Sequence, residues 1–212
     1  SLTNALRNAC EKAIKAEPDI TKYDIQMGDG DCGEAVQTVS ESILRKLDKP
    51  EFPSAPLFKQ LEMIGDSIED MGGSLGAIIS ILVTAFSNSL RDIYTKSGNQ
   101  GKSDFSLDLK AVGAAAAQAL ENLKDYTGAR EGDRTVMDTL IPFISTLQSS
   151  ANLEQAVKAA EDGSQKTAKM QPKFGRASYV GDKAESMDQL PPDPGAHAAA
   201  IFLRGLADGY GQ

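Results

Sequence analysis

The stretch Met27-Gly28-Asp29-Gly30-Asp31-Cys32-Gly33 sets two aspartates among three glycines, and Asp24 lies five residues before Asp29. Carboxylates this close repel one another unless a cation lies among them. Glycine lets the backbone adopt a positive φ and approach a ligand closely. The pattern indicates a hard-metal site beside a phosphate, most simply a Mg-nucleotide site. A solvated acidic turn explains the stretch equally well on its own.

A calcium loop of the EF-hand type is a weaker interpretation of the same stretch. Such a loop needs a glutamate at its twelfth position. That position is Ser40 when the loop is counted from Asp29, and Ala35 when it is counted from Asp24. The sequence therefore favours magnesium over an EF-hand.

Composition limits the class of protein. The chain has 212 residues, enough for one large domain or two small ones, and a formal net charge of −8 from 22 basic and 30 acidic residues. This charge argues against non-specific binding to nucleic acid or to an anionic membrane. An acidic protein that binds a polyphosphate needs divalent cations or a well-placed arginine.

Cysteine and histidine content points to a reducing compartment, and we expect a cytoplasmic protein. The chain has two cysteines and one histidine, so a disulfide framework and a zinc site are both disfavoured. We see no secretion signal at the start, and we expect the chain to be one module of a longer protein. The most apolar stretch, Leu75 to Phe86, is too short to span a bilayer.

Apolar residues recur at helical spacing along most of the chain, and no segment alternates with period two. The first helix is expected to stop before Pro18, and the helix from Leu75 to Ile93 is apolar nearly all round, which predicts burial. We predict helices over residues 5–15, 31–47, 57–71, 75–93, 109–123, 136–147, 152–169 and 195–210.

Two helix starts are candidates for phosphate binding. The run Gly72-Gly73-Ser74-Leu75-Gly76 precedes the apolar helix, and free N–H groups at a helix N-terminus suit an anion. It lacks the Gly-Lys-Ser/Thr ending of a Walker A loop, and a turn with a serine cap explains it too. Cys32-Gly33-Glu34-Ala35 opens a helix beside the carboxylates. No histidine is near Cys32 in sequence, so we interpret it as a thiol lining the site rather than a nucleophile.

Three further turns precede or interrupt helical patterns. Arg176, in Gly175-Arg176-Ala177-Ser178, could supply a fixed cation or be a surface arginine. Asp193, in Asp193-Pro194-Gly195, could be a helix N-cap or contact a ribose or base. Gly132-Asp133-Arg134-Thr135 is another turn that leads into a helix. His197 lies in an alanine-rich stretch with no visible partner for acid–base chemistry.

Five motifs, in this order, resemble the C-terminal nucleotide-binding (L-type) domain of dihydroxyacetone kinases. They are Asp24 with Gly28-Asp29-Gly30-Asp31-Cys32-Gly33, then Met71 to Gly76, Gly132 to Asp138, Gly175 to Gly181, and Asp193 to Ala196. The resemblance covers essentially all of residues 1–212 as a single domain, and it is strongest to the single-chain, ATP-dependent kinases of eukaryotes. It implies an all-α fold, an eight-helix antiparallel up-and-down barrel with the nucleotide site at one end.

The resemblance also implies a set of site residues. Two Mg²⁺ ions would be held by Asp24, Asp29 and Asp31 and would bridge the phosphates of ATP or ADP. The nucleotide itself would be bound by Cys32, Gly33, Glu34, Ala35, Ser74, Leu75, Gly128, Val136, Met137, Arg176, Asp193, Pro194 and Gly195. Among these, Ser74 and Leu75 would bind phosphate, and Gly128, Val136 and Met137 would flank the adenine.

In this family the sugar is held on a histidine of a different domain, so the expected partner is a sugar-binding domain in the same chain or in a partner subunit. His197 lies in the wrong motif for that role. We expect no catalytic residue in this chain, which would act on dihydroxyacetone or glyceraldehyde only indirectly and be inactive alone. Three alternatives stay open: an ADP-holding coenzyme or regulatory subunit, an FAD-cyclising activity, and a lipid-holding helical barrel.

Overall fold

The computed structural model describes residues 1–98, 108–174 and 189–211, and these contain nine α-helices and no strand. The helices are α1 Leu2–Lys15, α2 Glu17–Met27, α3 Cys32–Leu47, α4 Leu57–Glu69, α5 Gly73–Lys96, α6 Leu109–Leu123, α7 Met137–Ser150, α8 Leu153–Lys166 and α9 Pro194–Tyr210. A short 3₁₀ turn, Thr167–Lys169, follows α8. The predicted all-α class is confirmed.

Helix α2 was not expected, and it raises the number of described helices above the eight that we predicted. Helix α1 ends at Lys15 as expected, but α2 begins at Glu17, two residues later, with Pro18 in its first turn. Proline is tolerated there because the first N–H groups of a helix have no partner inside it. Pro18 therefore starts a helix where we expected only the end of one.

Eight helices contact one another in a closed ring. The order of contacts is α1, α3, α4, α5, α6, α7, α8, α9 and back to α1, and α2 packs against α3 and α9. The ring surrounds a cavity of about 390 Å³ lined by apolar side chains, such as those of Leu6, Ile43, Ile144 and Phe202. Whether neighbouring helices alternate in direction, as the predicted up-and-down barrel requires, stays a prediction.

Helix α5 differs from its prediction in two ways. It is 24 residues long, and among the described helices it alone has the length and composition to cross a membrane, so our argument that its apolar stretch is too short does not hold. It is also not buried: only Gly76, Leu90 and Tyr94 are, because side chains such as Ile79 face the interior cavity. A helix that lines an apolar cavity inside a folded domain can have the same length and composition as a membrane span, so these two properties alone are weak evidence that α5 crosses a membrane.

Helices α1 and α9 approach closely through glycine. A Cβ at Gly205 would lie 2.5 Å from the Cα of Ala9, and one at Gly209 would lie 2.7 Å from the carbonyl oxygen of Asn4. Both glycines are buried. This contact fixes the course of α9.

An ion-pair network joins α8 to α9. Arg204 donates from Nε to Glu161 at 2.8 Å and from Nη1 to Glu154 at 2.7 Å. The arginine is partly exposed, and exposed ion pairs contribute little to stability. None of the candidate site residues takes part in this network.

Candidate functional site

Three carboxylates come together at the end of α2. Asp24 lies in the last turn of that helix, and Asp29 and Asp31 lie in the loop between α2 and α3. One oxygen from each carboxylate lies within 4.8 Å of the other two. Asp24 is buried, whereas Asp29 and Asp31 are exposed, so an ion from solvent can reach the cluster. Three carboxylate oxygens suit a hard divalent cation.

Glycines make this arrangement possible. The Gly28 N–H donates to the Asp24 carbonyl oxygen at 2.6 Å, the last helical hydrogen bond of α2, and the loop begins at this glycine. A Cβ at Gly28 would overlap the Asp24 carboxylate. Gly30 has φ +83°, a conformation that favours glycine. The loop can therefore bring Asp29 and Asp31 to Asp24 only with small residues at these two positions.

Asp24 also anchors the start of α3. Its Oδ2 accepts a hydrogen bond of 2.9 Å from the Cys32 N–H, the first of that helix. Asp31 is the N-cap residue by position, but its side chain makes no capping hydrogen bond. Asp24 thus satisfies a helix N–H that would otherwise lack a partner. This second role has no signal in the sequence, because the contact joins the end of one helix to the start of the next.

The Cys32 thiol is poorly suited to be a nucleophile. Burial raises its pKa to about 12, and the charges of Asp24, Asp193, Asp31 and Asp29 act in the same direction. The thiol is therefore neutral at physiological pH, which supports its interpretation as a lining residue.

The residues that follow Cys32 differ in exposure. Gly33 is buried against α2, where a Cβ would overlap the Thr21 hydroxyl, so close helix packing accounts for this glycine. Glu34 is exposed and Ala35 is half-buried. Their contacts with nucleotide stay a prediction.

The starts of α3, α5 and α9 converge near the carboxylates. Cys32, at the start of α3, and Leu75, in the first turn of α5, pack against one cluster of buried residues that includes Ala198 of α9. A Cβ at Gly195 would lie 3.5 Å from Leu75 Cδ1. Ser74, beside Leu75, is exposed. Three helix N-termini at one place concentrate positive dipole ends, and the first N–H groups of α5 have no side-chain cap, which favours an anion.

Asp193, in the last of the five motifs, lies near the acidic loop of the first motif. It is the N-cap of α9, with Oδ2 accepting from the Ala196 N–H at 2.9 Å, and the buried Pro194 follows it. Burial raises the pKa of Asp193 to about 6, the Ala196 N–H and Arg134 oppose this, and Asp138 and Asp24 reinforce it. The carboxyl is therefore within electrostatic reach of the acidic cluster.

The remaining predicted residues are less clearly part of the site. Val136 and Met137 are buried in a core cluster with Leu123 and Leu140, so only their backbone could reach a ligand. Gly128 is exposed in the connection between α6 and α7, near the ring of Phe174. Their part in adenine binding stays a prediction. Arg176 lies outside the described residues.

The comparisons with known proteins identify the class. Residues 26–208 match the sequence model of the DAK2 domain family. This match spans most of the chain, so the helical fold with its acidic loop defines a DAK2 domain, and the chain belongs to this family.

Its relatives carry kinase names. It is 40% identical over 210 residues to the dihydroxyacetone kinase of Komagataella pastoris, an alignment that covers 97% of this chain and 34% of that protein. It is 33% identical over 209 residues to the triokinase/FMN cyclase of Bos taurus, covering 94% and 33% respectively. The chain therefore spans about a third of the length of these curated relatives.

Solved structures show the same fold. The native crystal structure of the dihydroxyacetone kinase of C. freundii is similar with a TM-score of 0.74 and 25% identity, covering 98% of this chain and 34% of the other. The same enzyme in complex with AMP-PNP and Mg²⁺ is similar with a TM-score of 0.69 and 26% identity, covering 98% and 33%.

Proposed function

We propose that this chain is the ATP-binding domain of a dihydroxyacetone kinase and supplies the γ-phosphoryl group to dihydroxyacetone or glyceraldehyde held by a separate sugar-binding domain. The observation that carries the proposal is the meeting of Asp24, Asp29 and Asp31 beside three helix N-termini. The names of the relatives and the AMP-PNP and Mg²⁺ of the C. freundii kinase complex support it.

The donor set fits magnesium. Its ligands are carboxylate oxygens, which Mg²⁺ prefers, and the two exposed aspartates leave room for phosphate and water. We propose two ions, as in the family resemblance. No second acidic cluster of this kind occurs in residues 1–98, 108–174 and 189–211, so both ions would share these carboxylates. When bound, the ions neutralise phosphate charge, which an acidic chain cannot do alone.

The protein's own part in the reaction is to position the phosphates. The N-terminal N–H groups of α5 would bind phosphate oxygens near Ser74 and Leu75, and Asp193 to Gly195 would close on the nucleoside. We assign no acid–base role to Cys32 or His197: the thiol is neutral, and the His197 ring packs edge-on against the ring of Tyr23. Positioning and charge neutralisation are the main demands of phosphoryl transfer.

The Asp29→Asn variant is expected to lose Mg²⁺-dependent ATP binding and to keep its helices. The exposed carboxylate is a proposed ligand with no role in the core, and its removal relieves repulsion among three acids. Isothermal calorimetry with millimolar Mg²⁺ measures the binding, and circular dichroism with a thermal melt checks the fold. The melting temperature without Mg²⁺ should be unchanged or higher.

Asp92→Asn is the matched control, because it removes an equal charge from an exposed position on α5. It should bind Mg-ATP like the unmodified protein. Unchanged affinity in Asp29→Asn would contradict the carboxylate assignment, and no nucleotide binding by the unmodified protein would overturn the proposed function. Turnover of dihydroxyacetone is expected only after a sugar-binding domain of the family is added.

Two other uses of the same site deserve a direct test. The relatives named triokinase/FMN cyclase in Bos taurus and Homo sapiens, at 33% and 31% identity, favour FAD cyclisation as a second candidate. Chromatography after incubation with FAD and Mn²⁺ would show riboflavin cyclic phosphate.

An ADP-holding coenzyme or regulatory subunit would instead retain ADP through purification, whereas a kinase domain exchanges it for ATP.

The apolar cavity favours a further, accessory role in holding a lipid. Its lining comes from most of the ring helices and is apolar throughout. Native mass spectrometry of the purified protein would show a co-purified lipid. The three carboxylates are not among the cavity's lining residues, but Leu75 and Gly195 are, so the cavity extends to the proposed nucleotide site.

A further inference from the structure

Arg134 is the largest fully buried side chain among the described residues, with none of its side-chain surface exposed. Its Nε donates to the Thr167 carbonyl oxygen at 3.1 Å, and its Nη2 donates to the Pro191 carbonyl oxygen. Its Nη1 lies 3.9 Å from Asp193 Oδ1. One guanidinium thus joins the α6–α7 connection, the 3₁₀ turn and the segment that leads into α9.

The turn that carries Arg134 is fixed to point this side chain inward. Asp138 accepts hydrogen bonds from the Gly132 N–H at 2.6 Å and from the Thr135 N–H at 2.9 Å. Arg134, between them, has φ +62°, a left-handed conformation that costs a non-glycine residue about 1–2 kcal/mol. The Asp138 hydrogen bonds hold the backbone in that conformation, so the buried arginine is a built feature of the turn.

The segment that Arg134 contacts carries Asp193. The Asp193 N–H donates to the Thr167 hydroxyl at 2.8 Å, and Thr139 donates to the Ala196 carbonyl oxygen at 2.8 Å. Burial of a guanidinium is costly unless it is paired, and the carboxylate that acts on Arg134 here is Asp193. Within the described part of the chain, Nη1 has no hydrogen-bond partner, so a small shift of Asp193 towards it would complete the pair.

We infer that Arg134 is a positioning residue: it holds the segment from Pro191 to Asp193, and with it the start of α9, in place beside the nucleoside, without touching the nucleotide itself. The inference rests on the proposed nucleotide site. Lysine cannot replace Arg134, because one ammonium group cannot reproduce the planar fork that reaches Thr167, Pro191 and Asp193 together.

The test compares Mg-ADP with Mg-tripolyphosphate, which has the phosphates and no nucleoside. Arg134→Lys is expected to weaken Mg-ADP binding by about 10- to 100-fold, the range typical of residues that hold binding residues in place without touching the ligand. Binding of Mg-tripolyphosphate should stay within about 3-fold of the unmodified protein, since the carboxylates and the α5 N-terminus are intact. Calorimetry gives both dissociation constants.

A double-mutant cycle separates a positioning role from a general loss of stability. Asp193→Asn alone should weaken Mg-ADP binding by a similar factor. The variant that carries both Arg134→Lys and Asp193→Asn should bind Mg-ADP no more weakly than whichever single variant has the lower affinity. Arg204→Lys is the matched control, because Arg204 joins α8 to α9 through carboxylates away from the site. It should leave both dissociation constants unchanged even if the melting temperature falls.

Equal loss of Mg-ADP and Mg-tripolyphosphate binding in Arg134→Lys would overturn the inference, as would unchanged Mg-ADP binding or additive effects in the cycle. Should Arg134→Lys not fold, Thr167→Val removes the hydroxyl that accepts from Asp193, and it must show the same selective loss of Mg-ADP. Failure of the unmodified protein to bind either ligand would instead count against the proposed function.

Discussion

Asp24→Asn is expected to weaken Mg-ATP binding by at least about 100-fold, or about 2.7 kcal/mol. Asp24 is the buried member of the three carboxylates, and its side chain is held between α2 and α3 by the Cys32 N–H. A water molecule therefore cannot easily take its place as a ligand of the ion. Asparagine keeps the shape and one acceptor oxygen but removes the charge that attracts the ion. Calorimetry across a range of Mg²⁺ concentrations measures the loss.

Asp24→Ala separates the two roles of this side chain. Alanine also removes the acceptor of the Cys32 N–H. Relative to Asp24→Asn, the free energy of unfolding should therefore fall by about 1 kcal/mol, as when a helix cap is lost. Asp92→Asn, which removes an exposed charge from α5, should change neither quantity appreciably. If Asp24→Asn binds Mg-ATP with unchanged affinity, the proposed metal site is not at this cluster.

Gly163→Ala is expected to lower the free energy of unfolding by about 2 kcal/mol. A Cβ at this position would overlap the Asp138 carbonyl oxygen and lie 3.0 Å from Pro142 Cγ, so α8 and α7 would have to separate. Overpacking of this kind costs up to about 3 kcal/mol, and the better helix propensity of alanine returns only about 1 kcal/mol. Urea unfolding followed by circular dichroism measures the difference.

Gly65→Ala is the matched control for this variant. Gly65 lies inside α4, and a Cβ there would meet no atom within 4 Å. The substitution should therefore raise the free energy of unfolding, by up to about 1 kcal/mol. Equal effects of the two substitutions would show that the α7–α8 contact adapts to the added methyl group. Because Asp138 also fixes the Arg134 turn, Gly163→Ala should weaken Mg-ADP binding as well.

Helical periodicity predicted most of the fold, because each helix buries one face and that face is visible in sequence. Pro142 lies inside α7, and the structure shows why the helix tolerates it. A proline at that position leaves the Asp138 carbonyl without its helical donor, and this carbonyl faces Gly163 of α8. Periodicity misjudged α5, since an apolar face towards a cavity and one towards a packed core look alike in sequence.

For the site, the structure brings four of the five motifs near one another, and the fifth, Gly175 to Gly181, lies outside the described residues. Which of their residues bind nucleotide stays a prediction. The acidic loop was read from its aspartates and glycines, and the structure brings those aspartates together. The cap that Asp24 places on α3 was missed, and so was Arg134, which the motif marked only as part of a turn. Both roles depend on partners from other elements, for which short-range spacing carries no signal.

The sequence by itself determined the all-helical class, the acidic loop and the order of the glycine-rich helix starts, since these follow from local spacing and composition. The tertiary structure alone decided that α3, α5 and α9 begin at one place, that Asp193 lies near Asp24, and that a buried arginine holds it. The reason is physical: the long-range contacts of close-packed helices set these positions, through pairs such as Gly205 with Ala9 and Gly163 with Asp138.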